Sequence, residues 1–456
     1  MSETYSKFLE RKSQLGGQDG FEPVWMPDFL FDFQRHLVEW SLRKGRSAIF
    51  ADCGLGKTPM QLVWAENVVR KTNRLVMLAT PLAVGQQTAK EAAKFGIEAL
   101  RTRGGGFTGK PAIWITNYEQ LHHYDPSQFA GMVCDESSAI KDFKSERKKA
   151  VVEFMRELPY RLLCTATAAP NDYWELGTSS EALGLLGFRD MITTFFKQET
   201  AKDYLGWGRT KYRFRGHAEE PFWRWVCSWA RSLQMPSDLG FDDDRFKLPE
   251  LIERSQVVST AAPRDGMLFT IPARDMQEER AERRHSIKER CDAAAAIAAE
   301  ADGPCVAWCE LNEEGDELED RLGPLCLQVK GSMSDDQKEE CLQAFSSGEC
   351  PRLVIKPKIG AWGLNWQHCH NVITFPSHSY EQYYQLVRRC YRFGQTMPVT
   401  VTSIVCEGEI GILPNLQRKQ AQCRRMFESI VRHMKDATHL ASSEFFPYQE
   451  EVPAWL

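Results

Sequence analysis

Three stretches of the 456-residue sequence carry residue types and spacings that could act on a phosphate group. In the first, Ala51-Asp52-Cys53-Gly54-Leu55-Gly56-Lys57-Thr58 follows an apolar run and opens a helix expected from Pro59. Glycines there let backbone N–H groups turn toward phosphates, and the helix N-terminus adds positive potential. Lys57 would reach the β and γ phosphates of a nucleoside triphosphate, and Thr58 would ligate magnesium. The second, Asp135-Glu136, follows the apolar Met132-Val133-Cys134. An acid at a strand end can hold the metal, here Asp135, while Glu136 orients or deprotonates an attacking water. In the third, Gln385 to Gln395, Arg389 and Arg392 are three apart and would share one face of a helix, able to meet charge that builds up on a transferred phosphoryl group. Taken singly, these are an ordinary glycine turn, a solvated acidic loop and a basic helix face. The strand before and helix after the first stretch, together with the other two, favour the phosphate chemistry.

Such groups need parallel strands to present them at one edge. Short apolar runs at Ser47 to Ala51, Arg74 to Ala79, Ala112 to Thr116, Gly131 to Cys134 and Arg161 to Cys164 each lead into a polar or glycine-containing turn and read as buried strands. The grammar repeats with Cys305 to Cys309, Leu325 to Val329, Arg352 to Ile355, Asn371 to Phe375 and Val399 to Val405, separated by helical patterns. The expected fold class is α/β, with two tandem lobes of parallel sheet flanked by helices and a mainly helical insertion between them. The expected boundaries are an N-terminal extension (1–30), a first lobe (31–180), an aromatic and basic helical insertion (181–255), a linker helix (256–302), a second lobe (303–412) and a C-terminal brace helix with tail (413–456).

Composition sets the class. A chain this long exceeds one core, and no run of eighteen apolar residues occurs, so a soluble, cytoplasmic protein with no membrane partner is expected. The fourteen cysteines are scattered singly, many inside apolar runs, and read as reduced core residues. Cys305 and Cys309 lack the second ligand pair of a zinc site. A net charge of -5 argues against holding nucleic acid by overall charge and leaves room for a local basic groove.

Together the motifs resemble the Swi/Snf branch of the superfamily-two helicases, which pair two RecA-like lobes and place ATP between them. The resemblance spans most of the chain and points to small helicase-like proteins of bacteriophages and bacteria, working in the bacterial host cytoplasm if phage-encoded. Phe33-Gln34 looks like the adenine-recognising glutamine motif, and Ala51 to Thr58 is similar to the family's Ala-Asp-Glu-Met-Gly-Leu-Gly-Lys-Thr. Asp135 to Lys141 resembles the Asp-Glu-Ala-His stretch, with Ser137-Ser138 in place of Ala-His. Thr165-Ala166-Thr167 resembles the motif coupling ATP state to lobe closure. Lys358 to Asn365 looks like Lys-Ala-Gly-Gly-Leu-Gly-Ile-Asn, and Gln385 to Gln395 looks like Gln-x-x-x-Arg-x-His-Arg-Ile-Gly-Gln, with Tyr391 for the histidine. The resemblance implies that Arg389 and Arg392 are arginine fingers, that Gly363, Asn365 and Gln385 line the second-lobe wall of the ATP site, and that ATP and Mg2+ are used.

By the same resemblance, the nucleic-acid backbone would meet Thr80-Pro81 and Asn117-Tyr118 in the first lobe and Gly331 and Lys358 in the second. In the insertion, Trp207, Arg209, Lys211, Tyr212, Arg213, Phe214 and Arg215 form either a hairpin that stacks on DNA or part of a small helical subdomain, with Trp225 and Trp229 spaced for a core. Three functions follow. The first is a translocase on duplex or branched DNA, the second a strand-separating helicase, and the third a weakly hydrolysing scaffold for a partner nuclease. The sequence leaves the oligomeric state open, a monomer included, with nuclease, replication or recombination proteins as candidate partners.

Overall fold

The computed structural model describes residues 19–82, 84–102, 104, 110, 112–202, 208–243, 245–260, 273, 276–360 and 365–442. The chain divides into two units, Met1–Asp243 with Gln422–Leu456, and Asp244–Ala421.

In the first unit the strands are β1 (Arg46–Ala51), β2 (Leu75–Thr80), β3 (Ala99–Arg101), β4 (Ile113–Asn117), β5 (Phe129–Asp135), β6 (Tyr160–Cys164), β7 (Phe196–Lys202), β8 (Gly208–Phe214) and β9 (Ala230–Leu233). Among the described residues all but β7 and β8 form one sheet in the order β3-β4-β2-β5-β6-β1-β9, and every pairing in it is parallel. Strands β2 and β5 are buried from end to end, because helices cover both faces of a parallel sheet. The register sets Thr80 opposite Asn117 and Asp135 opposite Cys164, so the polar residues that end these strands gather at one edge. Helix Lys57–Thr72 packs Met60, Val63, Trp64 and Val68 on this sheet, and it ends where Asn73 takes a left-handed conformation at φ 52°.

The second unit holds β10 (Leu251–Val258), β11 (Cys305–Trp308), β12 (Cys326–Val329), β13 (Arg352–Ile355), β14 (Asn371–Thr374) and β15 (Val399–Cys406), in the sheet order β10-β15-β14-β11-β13-β12. Strand alternation sends Cys305 and Ala307 to one face, against Cys291, Ala294 and Ala298 of helix Ile287–Glu300. Val306 and Trp308 go to the other, against Phe345, Trp366 and Leu386. All five strand runs expected in each lobe are present, shifted by a residue or two at their ends.

The stretch between the lobes contributes more than helices. Residues 181–255 include the antiparallel hairpin β7–β8, and strand β9 pairs with β1. Strand β10, which spans the expected insertion and linker, pairs with β15 from Leu251↔Val399 to Val258↔Cys406. Four residues of Ala-Arg-Ser-Leu and a charged edge strand give too little apolar periodicity to be read as sheet members. Phe222, Trp223, Trp225 and Trp229 are buried and form an aromatic cluster with Phe195, Phe196 and Phe214, so Trp225 and Trp229 are core residues, as their spacing leads one to expect. Tyr212 packs on Trp174, while Trp207 lies outside the described residues, as do the side chains of Arg209 and Lys211. The last helix runs over Ile412–Ser442. From Gln422 it belongs to the first unit, where Cys227 contacts the carbonyl of Ile430 and Met434 accepts from the Ser232 amide.

All fourteen cysteines are free thiols. No helix among the described residues is long and apolar enough to cross a membrane.

A buried charge network ties the second unit together. Arg283 donates to Glu409 at 2.6 Å, Arg290 Nε lies 3.7 Å from the same carboxylate, and Arg290 Nη1 meets Glu314 at 2.7 Å, a charge contact off the hydrogen-bond direction. Arg290, Glu314 and Glu409 have fully buried side chains, so none can turn to water when its partner is lost. Glu409→Ala is expected to cost about 3–5 kcal/mol, read as a lowered midpoint for the second unit in urea denaturation.

Candidate active site

The loop after β1 is held open by its neighbours. Gly54 and Gly56 adopt φ 90° and 73°, which favour glycine, and a Cβ on Gly56 would fall 2.2 Å from Gln34 Nε2 and push that amide aside. Gln34 is buried at the start of helix Asp32–Lys44, where its Oε1 accepts from the Phe31 amide at 3.1 Å and its Nε2 donates to the Leu55 carbonyl at 2.9 Å. The residue expected to read a base thus braces the loop. Phe33 is buried in the core, whereas Phe31 is half-buried and stacks on it at 6.2 Å. Phe31, which the sequence reading passed over, is therefore the more accessible ring.

Lys57 and Thr58 start a helix with no acid in its first turn, which leaves the N-terminal amides and dipole for an anion. The Lys57 ammonium folds back over the loop and donates to the carbonyls of Ala51 at 2.9 Å and Asp52 at 3.3 Å. Thr58 is half-buried beside it.

Asp135 and Glu136 stand at the end of β5, both buried. Asp135 Oδ1 accepts from Gln61 Nε2 at 2.7 Å. Gln61 was missed in the sequence, although it lies one helical turn beyond Lys57 and is a polar residue among fully buried ones. Burial first, and the Glu136 charge second, push the Asp135 carboxyl up from 3.8 to about 6, against the pull of Gln61 and Lys57. Glu136 occupies the left-handed region at φ 55° and ψ 57°. Its Oε1 accepts from the Thr165 hydroxyl at 2.7 Å, and Thr165 Oγ1 in turn accepts from the Thr167 amide at 3.0 Å. The acid pair, Thr165 and Thr167 are therefore one connected group.

The donor set suits a phosphate with magnesium. The hydroxyls of Ser137, Ser138 and Thr167 and the Gln61 carbonyl oxygen are buried without a hydrogen-bond partner, and orphan polar atoms beside two buried acids are what a hydrated ion would satisfy. Among the described residues no cluster of three or more His, Cys, Asp or Glu side chains could hold a metal by itself. Magnesium asks for less than that, because it is held through one or two side chains plus phosphates and water.

Other expected positions fall less well. Tyr118 is buried and its hydroxyl donates to the Asp135 carbonyl at 2.6 Å, so it supports the acid pair and presents nothing to a nucleic-acid backbone. Thr80 is buried too and turns its hydroxyl to the Pro81 carbonyl at 3.1 Å. Pro81 and Asn117 are half-buried, with Asn117 Oδ1 accepting from the Gln120 amide at 3.1 Å. In the second unit Gly331 and Lys358 are exposed, as is Asn365, while Gly363 lies outside the described residues. Arg389 is buried and donates to Gln385, to its Oε1 at 2.8 Å and its carbonyl at 3.1 Å. Helix Tyr380–Cys390 ends before Arg392, so the two arginines do not share a helix face. The chain turns there, with the Gln395 amide donating a hydrogen bond to the Arg392 carbonyl and a positive φ of 92° at Gly394.

Residues 291–394 match the helicase conserved C-terminal domain. The match lies wholly in the second unit and includes Gln385, Arg389 and Arg392. The fold as a whole is similar to that of S. cerevisiae Dbp5 in a structure bound to RNA and ADP BeF3, with a TM-score of 0.53 at 11% identity, covering 91% of this chain and 97% of that one. The two parallel sheets are tandem RecA-like lobes.

A folded-state carboxyl raised above its unfolded value contributes stability that is complete below that lower value, about 4, and is lost as pH rises through about 6. Asp135→Asn is therefore expected to raise the thermal midpoint of the nucleotide-free protein near neutral pH, by about 1–3 kcal/mol of stability, and to change little near pH 4. Paired melting curves at the two pH values check this.

Proposed function

We propose that the protein is an ATP-hydrolysing motor of helicase superfamily two that moves along duplex DNA in the Swi/Snf manner. The observation that carries this reading is the connected group of Asp135, Glu136 and Thr165 at one edge of the first sheet, with the Lys57 charge acting on Asp135 from the loop after β1. The helicase domain match over residues 291–394 and the RecA-like fold support it.

In this mechanism the glycine loop and helix N-terminus bind the triphosphate, and Lys57 leaves its loop carbonyls for the β and γ phosphates. Thr58 and Asp135 would hold Mg2+, which neutralises phosphate charge when bound. Glu136 takes the proton of the attacking water, and its bond from Thr165 sets the direction in which the carboxylate faces. Arg389 and Arg392 would supply positive charge to the transferred phosphoryl group, and Gly363, Asn365 and Gln385 would bound the nucleotide on their side. Pro81, Asn117, Gly331 and Lys358 would meet the backbone of the track.

The nature of the track has a second reading, because the structure of Dbp5 similar to this one is bound to RNA. Steady-state hydrolysis at matched salt with duplex DNA, single-stranded DNA, branched DNA, RNA or no nucleic acid separates them. Duplex DNA is expected to stimulate most. Preference for RNA, or for single strands with unwinding of a tailed duplex, would replace the translocase reading, and background hydrolysis with every nucleic acid would leave the nucleotide-dependent scaffold for a partner nuclease. Lys57→Ala and Glu136→Gln are each expected to lower the stimulated rate about 100-fold or more, with Glu136→Gln retaining nucleotide binding in a filter assay.

A further inference from the structure

The peptide that joins Asp135 to Glu136 has an unusual support. Its carbonyl oxygen, that of Asp135, accepts from the Tyr118 hydroxyl at 2.6 Å in a fully packed setting. The orientation of this same peptide fixes one end of the Glu136 φ angle, which stands at 55°. A glutamate pays for a left-handed conformation, typically about 1–3 kcal/mol, and keeps it only where its surroundings hold it. Thr165 holds the side-chain end, through the bond to Oε1. Tyr118 holds the backbone end. Were the hydroxyl missing, the peptide could rotate toward an extended Glu136, and the carboxylate would swing away from Thr165.

Tyr118 is also the first residue of a surface turn. It begins the short 3-10 helix Tyr118–His123, which Asn117 caps through its side chain to the Gln120 amide at 3.1 Å. Glu119, His122 and His123 of this turn are exposed, Arg147 pairs with Glu119, and the Arg147 guanidinium sits 5.9 Å from the Tyr118 ring centre. The capped turn has one face outward and its first side chain against the acid pair. O–H···O bonds weaken steeply with small displacements, so a shift of a few tenths of an ångström in the turn is felt at the peptide between the two acids.

We propose that Tyr118 is a positioning residue that sets the Glu136 carboxylate through the Asp135–Glu136 peptide and relays to it the loading of the Asn117–His123 turn by the nucleic-acid backbone. The second half of this statement rests on the motor reading above. The relay needs no lobe movement, because every group in it belongs to the first unit.

The test is Tyr118→Phe, which deletes the hydroxyl and keeps the ring, with Tyr118→Leu as the variant that loses the packing as well. Three quantities are read: kcat and KM for ATP with and without saturating nucleic acid, the Kd for nucleic acid, and hydrogen–deuterium exchange of residues 135–141 on adding nucleic acid. Tyr118→Phe is expected to cut the stimulated kcat about 10-fold with KM and Kd within about twofold, and to abolish the exchange response seen in the wild type. A merely structural tyrosine would give a lower melting temperature and an unchanged stimulation ratio in both variants. That result, or a wild-type-like exchange response in Tyr118→Phe, overturns the proposal while the motor reading stands. If no nucleic acid stimulates the wild type, the motor reading fails and the relay falls with it.

Discussion

Taking two adjacent carboxylates out of water is the constraint on which the first unit depends. The Lys57 ammonium offsets part of the charge on Asp135, and directed bonds meet more of the cost. An amide from the helix behind Lys57 holds Asp135, a hydroxyl from the end of the neighbouring strand holds Glu136, and a buried phenol holds the peptide between them. Burial pushes the Tyr118 phenol well above its usual range, which keeps it a hydrogen-bond donor at any working pH. The raised Asp135 carboxyl shows that these bonds do not fully offset desolvation. The balance would come from a cation and its waters, for which the buried orphan hydroxyls stand ready. A site that is unfavourable when empty is suited to bind its metal together with the triphosphate.

The strand order supplies this arrangement. With β5 between β2 and β6, and β1 next beyond β6, the loop after β1, the acids after β5 and the threonines after β6 come out at one edge. Strand β4 lies one place beyond β2, near enough for Tyr118 at its end to reach Asp135. Distant segments of sequence are thus joined by the sheet rather than by local contacts, as in other open parallel sheets, where ligands gather at the carboxyl ends of strands.

The degree to which this was legible in the sequence follows from the range of each signal. The glycine loop and the acid pair are local patterns on apolar strands, and their places follow from the pattern itself. The two parallel lobes followed likewise from repeated buried strands. Tyr118 could not be placed that way, since a tyrosine after a strand reads as surface until the order β4-β2-β5 is known. Gln61 has a spacing signal, one turn from Lys57, but its partner comes from another strand. The end of the helix before Arg392 is a matter of two or three residues, the range in which boundaries are least certain. Strands β9 and β10 are too short or too charged to show a period, and only pairing with β1 and β15 makes them strands.

The most direct test of the account is calorimetric binding of a non-hydrolysable ATP analogue, with and without Mg2+, at about pH 7.5 and about pH 5.5. The account predicts that Mg2+ strengthens binding at the higher pH and that this gain shrinks several-fold at the lower, where Asp135 takes up a proton. Binding that is indifferent to Mg2+ at both pH values, or no binding of the analogue, would contradict it.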